Sequence, residues 1–406
     1  MIPHPGPTAV LLSLVAFLVP AVTVASGGAM PSEGPDVVVA DLFDSIRWGE
    51  VGGISAYSFG TNVCNVGDEE LPWVAETNAH PVISHNLYRI RDDRFEQIGI
   101  SWVKHGFGAL ALNRCGDCQA PGGTEALGVG CSDPYTADLN GDQGGFFGIA
   151  GLGPRAEVNA FTGGFPFPYR TQGEDGDAIY KRVQVRNEDI DPELNAGAAY
   201  VLEGQYVTPD DAQAGNQNNN ASYRPVRVTQ DLEIEPVSFT RPARPAIYGW
   251  AELDPAVEVV TVDIPDEGQL TVAYKVTDLG GSRWRYEYAV HNLSSHRSVR
   301  GFELPIDADV SLNEIGFHDV DYHSGEPFDS TDWAVTLPTP DAASLVWATD
   351  AFTDNPLANA LRWGTTYNFR FVADRPPGSA AGQLLLFRPG TPAEVAVTLH
   401  APESSG

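Results

Sequence analysis

Positive charge is what this chain has least of. Its 406 residues hold 24 Lys+Arg against 54 Asp+Glu, a formal net charge of -30. Only three of the basic residues are lysines: Lys104, Lys181 and Lys275. Nucleic acid and anionic membranes are excluded as default partners, because like charge repels such a chain from phosphate. No apolar run of spanning length follows residue 25, so no membrane span is expected in the mature form. A sustained 3.6-residue period is missing too, and 42 Gly with 31 Pro argue against long helices. No internal repeat of fixed length is visible. The chain also lacks a GxSxG elbow, an HExxH pair, a P-loop and a GxGxxG turn. A Ser/His/Asp triad has no fixed chain order and is not excluded by this, but nothing advertises one.

What is present can still bury a core. Hydrophobic residues make up 42% and charged ones 19%, which is not the composition of a disordered acidic tail. At roughly 150 residues per domain, the length suggests two or three domains. Ala9 to Ala25 is apolar and uncharged, and Thr23 and Ala25 fit a small-residue cleavage rule before Ser26. Residues 1–25 are read as a secretory signal peptide, although the opening MIPHPGP carries no Lys or Arg. The alternative is a membrane anchor, but Pro20 interrupts the run, and a comfortable span takes about 20 apolar residues. The expected location is secreted or cell-surface.

Export governs the reading of the four cysteines, Cys64, Cys115, Cys118 and Cys131. An even number in an exported chain points to disulfides, which would hold the Gly/Pro-rich stretch around 115–131. A Cys115–Cys118 bridge would close a very small ring. The favoured pairing is Cys64–Cys115 with Cys118–Cys131, or the crossed alternative. A zinc site of all four thiolates or a redox CxxC competes with this. The single CxxC matches neither pattern well, and CGDCQ lacks the His of a haem-attachment motif.

Strand signals run along most of the chain. HNLYRI (85–90), RDDR and FEQIGISWV (95–103) read as a hairpin with a four-residue loop. Pairing Ile90 with Phe95 sets a register in which His80 would face His105, with Pro81 expected to break the ladder first. Residues 181–187, 198–209 and 222–239 read as further strands, and 113–178 mostly as loop. In RWRYEYAVH (283–291), Trp284, Tyr286, Tyr288 and Val290 share one face, while Arg283, Arg285, Glu287 and His291 share the other. That period of two marks a half-buried strand. Seven or eight such runs argue a β-sandwich of about 140 residues. The fold class is therefore all-β. The C-terminal half (246–406) should be an immunoglobulin-like or jelly-roll-like sandwich. The N-terminal region (26–245) should be β-rich with long Gly/Pro loops and the cysteines.

The phrases HPVISHNLYRI, RFEQIGISWVKHGF, LGVGCSDPY, EGQYVTPDDAQAGNQNNNASYR, WRYEYAVHNL, GFHDVDYHSGEP and NALRWGTTYNFRF resemble a group of exported bacterial β-rich proteins. The resemblance covers residues 50–390. It implies that the two halves belong together as one unit, and it supplies no activity.

Three constellations carry candidate chemistry. GFHDVDYHSGEPFDSTDW (316–333) places Asp319, Asp321 and His323 at alternate positions, which on a strand would share a face. With Glu326 they form a candidate site for a divalent ion, calcium if oxygens dominate and zinc, less favoured, if the imidazole binds. DLNGD puts Asp138, Asn140 and Asp142 in the pattern that opens a calcium loop, but Ile149 stands where an EF-hand needs Glu. His80, His85 and His105, with His318, form an alternative site that requires tertiary convergence. Asp210, Asp211 and the following asparagines could bind sugar hydroxyls or cap their own loop. The chain is thus expected to have a structural, adhesive or binding role outside the cell, stabilised by calcium, with an extracellular glycan or surface protein as partner. A metal- or carboxylate-dependent hydrolase acting on extracellular polysaccharide is the alternative.

Overall fold

The computed structural model describes residues 32–404; the expected signal peptide lies outside them. Two glycines in the left-handed region, Gly52 (φ 60) and Gly53 (φ 82), turn the strand Val37–Val51 into Ile54–Asn65. A second tight turn joins Val82–Arg91 to Arg94–Ile100. Here the expected four-residue loop shrinks to two residues, because Arg91 pairs with Arg94. Asp92 (φ 52) and Asp93 (φ 64) both take the left-handed conformation, which suits the twist of a two-residue hairpin and which Asp tolerates.

These hairpins belong to one 11-stranded sheet. Its main path runs Val37–Val51, Ile54–Asn65, Val183–Arg186, Arg94–Ile100, Val82–Arg91, Ala199–Val207, Ala221–Val228, Ile234–Pro236. The sheet rolls back on itself. The Ser45 hydroxyl donates to the Ile234 carbonyl, and Arg224 donates to the Asp41 carboxylate and the Leu42 carbonyl. Leu42, Tyr57, Phe59, Leu87, Leu202 and Tyr206 fill the space enclosed. The disulfide Cys64–Cys115 ties the Gly/Pro-rich excursion to the Ile54–Asn65 strand, and Cys118–Cys131 closes a loop within it. Of the two pairings open from the sequence, this is the uncrossed one.

The second half is a sandwich of two five-stranded sheets. One runs Glu258–Asp263, Gln269–Asp278, Trp284–Asn292, Thr365–Ala373, Leu312–His318; the other runs Ala334–Thr336, Ser344–Ala348, Val299–Pro305, Pro377–Leu386, Glu394–Pro402. Ten strands form where seven or eight were expected. Leu312–His318 hid its alternation behind a bulge between Asn313 and Gly316, and Glu258–Asp263 is an edge strand whose residues are mostly part-exposed. Tyr286, Tyr288, Phe302, Trp347, Phe369 and Phe371 form an aromatic core between the sheets. Burying each such ring fully contributes about 1.5–3 kcal/mol.

The strand Trp284–Asn292 corrects one expectation. Its second face is solvated only at Arg283 and partly at Arg285; further along, Glu287 is 3% exposed and His291 0% exposed. That face packs on the first half. Tyr88, Phe95, Val201, Trp250, Ala273 and Ala289 make an apolar cluster drawn from both halves. Around it runs a buried polar seam. Gln97 receives the Thr366 N–H at 2.8 Å, Asn368 donates to the Phe95 carbonyl at 2.6 Å, and Arg94 pairs with Glu287 at 2.9 Å. Residues 32–404 accordingly belong to one compact unit. Among the described residues, helices are short, the longest being the six-residue Pro209–Ala214 and Tyr248–Leu253.

Gly364 is the knot of the seam. Its carbonyl accepts from Asn86 at 3.0 Å and from Gln97 at 3.3 Å. Its φ is +70, and a Cβ there would stand 2.4 Å from Nη1 of Arg155. Arg155, 3% exposed, donates from Nε to the Ser101 carbonyl, and from Nη2 to the His85 carbonyl and the Asn86 side chain. A buried guanidinium is tolerable only with its donors satisfied in this way.

Candidate functional site

The strand Leu312–His318 delivers its last residue to the seam, where His318 Nε2 lies 3.0 Å from the Gln97 carbonyl. The chain then leaves the sheet. The expected strand through Asp319, Asp321 and His323 does not form, since Asp319–Asp332 is loop. The reason is local: Ser324 (φ 59) and Gly325 (φ 89) turn the chain, and His323 is pinned inward. His323 Nε2 lies 2.8 Å from the Ile100 carbonyl and Nδ1 2.9 Å from the Ser324 hydroxyl. An imidazole with both nitrogens engaged is an anchor, and burial lowers its pKa to about 4.

Between this loop and the first half lies a cleft of about 320 Å³. Asp319, Asp321, His318 and His323 line it together with Gln184, Arg186, Glu188 and Asp189. Three of the four metal candidates from the first constellation therefore share one cavity, and the alternative His318 joins them. Glu326 does not line it. Its carboxylate accepts the backbone N–H groups of Arg155 and Ala156, and burial pushes its pKa up to about 7. Among the described residues, no group of three or more His, Cys, Asp or Glu is arranged to hold a metal ion.

The cleft's carboxylates differ in setting. Asp319 accepts from the Asn359 amide at 2.5 Å, yet burial dominates and raises its pKa to about 6. Asp321 pairs with Arg186 at 2.7 Å, both side chains more than half exposed at 58% and 57%. Asp189 is raised by burial, with the Arg89 guanidinium 2.9 Å away opposing it. Arg89 also holds Glu96 at 2.8 Å. Four carboxylates against one arginine make the cleft acidic, and its wall carries amide and imidazole hydrogen-bonding groups as well. Such a surface can hold a cation or a hydroxylated ligand with cationic character.

The remaining candidates go elsewhere. Asp138 and Asn140 fall on a helix, Ala137–Asn140, whose period sends them to different sides. Asn140 turns inward to donate to the Phe59 carbonyl at 2.8 Å, Asp138 is exposed, and Asp142 accepts the Gly145 N–H at 3.1 Å. These three do not form a calcium loop. His80 and His105 do meet, 3.0 Å apart between Nε2 and Nδ1. A bulge between Leu87 and Tyr88 shifts the hairpin register by one residue and the break between Ile100 and Val103 shifts it by one more, so Val82 and not His80 is the ladder partner of His105. His85 stays apart in the sheet core, with burial lowering its pKa to about 3.

The Asp210–Asn220 segment begins as the helix Pro209–Ala214 rather than a loop. Its polar groups are internal fasteners. Asp211 accepts the Val37 N–H at 2.9 Å and the Asn220 amide at 2.8 Å, and Asn216 donates to the Glu33 and Pro35 carbonyls at 3.0 Å. Sequence reasoning missed Gln184, Arg186, Glu188 and Asp189. The carboxylates of RNEDID carry no local pattern that separates them from the chain's many others. Their role depends on the strand Val183–Arg186 pairing with Arg94–Ile100.

No family model matches the chain, and no curated protein matches it. Among solved structures, it is similar at 10% identity to a biofilm associated protein B domain, covering 91% of this chain and 86% of that one, with a TM-score of 0.15. A partial N-terminal region of an enterococcal surface protein is 10% identical, covering 89% of this chain and 91% of that one, with a TM-score of 0.16. Scores of this size carry no inference for this chain.

Proposed function

We propose that the protein is an exported extracellular or cell-surface β-sandwich protein with a structural or adhesive role, and that its cleft binds a cationic group, calcium included. Two disulfides support an oxidising compartment. The observation that carries the binding reading is the convergence of Glu188, Asp189, Asp319 and Asp321 on one cavity at the seam of the two halves. Hard cations take carboxylate oxygens with bound water completing the shell, so a site need not be a closed protein cage. Calorimetric titration with calcium tests this reading. Saturable binding, lost in Asp319→Asn and Asp321→Asn, is the expected result. A protein that binds neither calcium nor any cationic glycan on an array overturns it.

A second reading is a carboxylate-dependent polysaccharide hydrolase. The observation in its favour is the protonatable Asp319 beside the ion-paired Asp321, a division of settings that acid–base pairs use. Release of reducing ends from extracellular polysaccharides, abolished by Asp319→Asn, would establish turnover.

A further inference from the structure

The 319–332 loop also walls a second cavity, lined by Arg155, Arg362, Arg388, His296, Tyr322 and Phe328. Water-sized atoms have about 20 Å³ of room there. That figure is the room open to the centres of such atoms, so a single small ion of a few heavy atoms fits and a sugar or peptide does not. Three arginines from distant parts of the sequence meet here, in a chain whose net charge is -30. None of the three forms an ion pair among the described residues.

Arg362 is 5% exposed, and its guanidinium lies 3.6 Å from the centre of the Phe328 ring. Its Nη2 donates to the Ala358 carbonyl at 3.0 Å, but its buried Nε has no hydrogen-bond partner. A buried charged donor without an acceptor is costly. Arg388 donates from Nε to the His296 carbonyl at 2.9 Å. Arg155 spends its guanidinium on the seam. Glu326 and Glu267 contribute nearby negative charge, but the Glu326 carboxylate is taken by the Arg155 and Ala156 backbone N–H groups and the Glu267 carboxylate by the Ser295 hydroxyl and the Arg297 N–H, leaving three arginines against two carboxylates. Burial holds Arg362 below the usual arginine range, Tyr322 opposes this, and the Arg388 charge adds to it. The cavity therefore has surplus positive charge and an unused donor.

We propose that this cavity binds one small oxyanion of the phosphate, sulfate or carboxylate class, between the Arg362 Nε–H and the Arg388 guanidinium. Arginine suits oxyanions because its planar donors form charge-assisted hydrogen bonds to their oxygens. Arg155 supplies further positive charge, and Phe328 closes the wall.

The test titrates the full mature protein with sodium phosphate, sodium sulfate and sodium acetate at constant ionic strength, read by calorimetry and by melting temperature. The expected result is 1:1 saturable binding of at least one anion, with a melting rise that reaches a plateau. Arg388→Gln should weaken it tenfold or more, while Arg227→Gln, an exposed ion-pair variant elsewhere, leaves it unchanged. A response to phosphate or sulfate alone identifies a tetrahedral anion, and a response to acetate identifies a carboxylate. In the unmutated protein, the His296 ring proton resonance should move along the same saturation curve. Absence of saturable binding by all three anions, a fixed His296 signal, or full affinity in folded Arg388→Gln overturns the proposal.

Discussion

Nε2 of His80 stands 3.0 Å from Nδ1 of His105, and Tyr169 stacks on the His105 ring at 3.9 Å between centroids. His80 Nδ1 lies 3.1 Å from the Val74 carbonyl, so the His80 tautomer that donates there leaves Nε2 to accept from His105. Lys104 neighbours the pair, and Phe165 and Phe167 face it from the covering segment.

The pair has to be neutral. Burial first, and the Lys104 charge after it, lowers His80 to about 4, against an ordinary 6.5. A depressed histidine binds its proton in the unfolded chain before the folded one, so its contribution to stability falls as pH drops below about 6.5. Between pH 7.5 and pH 5 the loss from His80 is about 2 kcal/mol. Buried carboxyls with raised values, such as Asp211 and Glu287 at about 7, work in the opposite direction. The diagnostic quantity is therefore the difference between wild type and His80→Gln in guanidinium unfolding at the two pH values. Equal pH dependence in the two proteins would sink the assignment.

Gly364→Ala should destabilise the protein by more than about 2 kcal/mol, since a left-handed non-glycine costs on the order of 1–3 kcal/mol before any clash. Here the added methyl also meets the Arg155 guanidinium at 2.4 Å. The urea midpoint reports it. An unchanged midpoint would show that Arg155 has room to move.

Gln97→Ala should cost about 1–3 kcal/mol, because the buried Thr366 N–H loses its acceptor. Gln97→Glu keeps an acceptor for Thr366 but loses the donor to Gly364, and its added buried charge should make it no better than Ala. Chemical denaturation of both variants decides this.

Unfolded but unreduced protein should show no free thiol, and four free thiols would refute both bridges. Removing Cys64–Cys115 by a double Ala substitution should cost more than removing Cys118–Cys131. Their sequence separations are 51 and 13, and in the chain-entropy picture these correspond to about 4 and about 3 kcal/mol. Thermal unfolding of the two double variants gives the order.

Strand positions in the second half were legible because Tyr286, Tyr288 and Val290 alternate with polar residues, and one period suffices to find a strand. The fate of the polar residues was not legible. Glu287 and His291 look like a solvated face in sequence, and only the packing of the first half against them makes them buried. The cleft was half legible. Asp319, Asp321 and His323 advertise themselves by spacing, although they reach the cavity from a loop and not a strand. Asp189 and Arg186 arrive through the pairing of Gln184 with Ile100 and of Val185 with Gly99, 84 and 86 positions earlier, which no local pattern records. The second cavity was wholly hidden, since Arg155, Arg362 and Arg388 have no relation until the chain folds.

In the sheet that holds Trp284–Asn292, that strand and its neighbour Thr365–Ala373 are covered on both faces, while the edge strands Glu258–Asp263 and Leu312–His318 meet water. The expected boundary at residue 245 looks like a place to cut, but a fragment starting there would strip Glu287 of its Arg94 partner and Asn368 of the Phe95 carbonyl that it donates to. Such a fragment would carry an adhesive, partly charged face and would behave as a misfolding hazard. Excision is the wrong way to dissect this protein, and point substitutions along the seam are the right one.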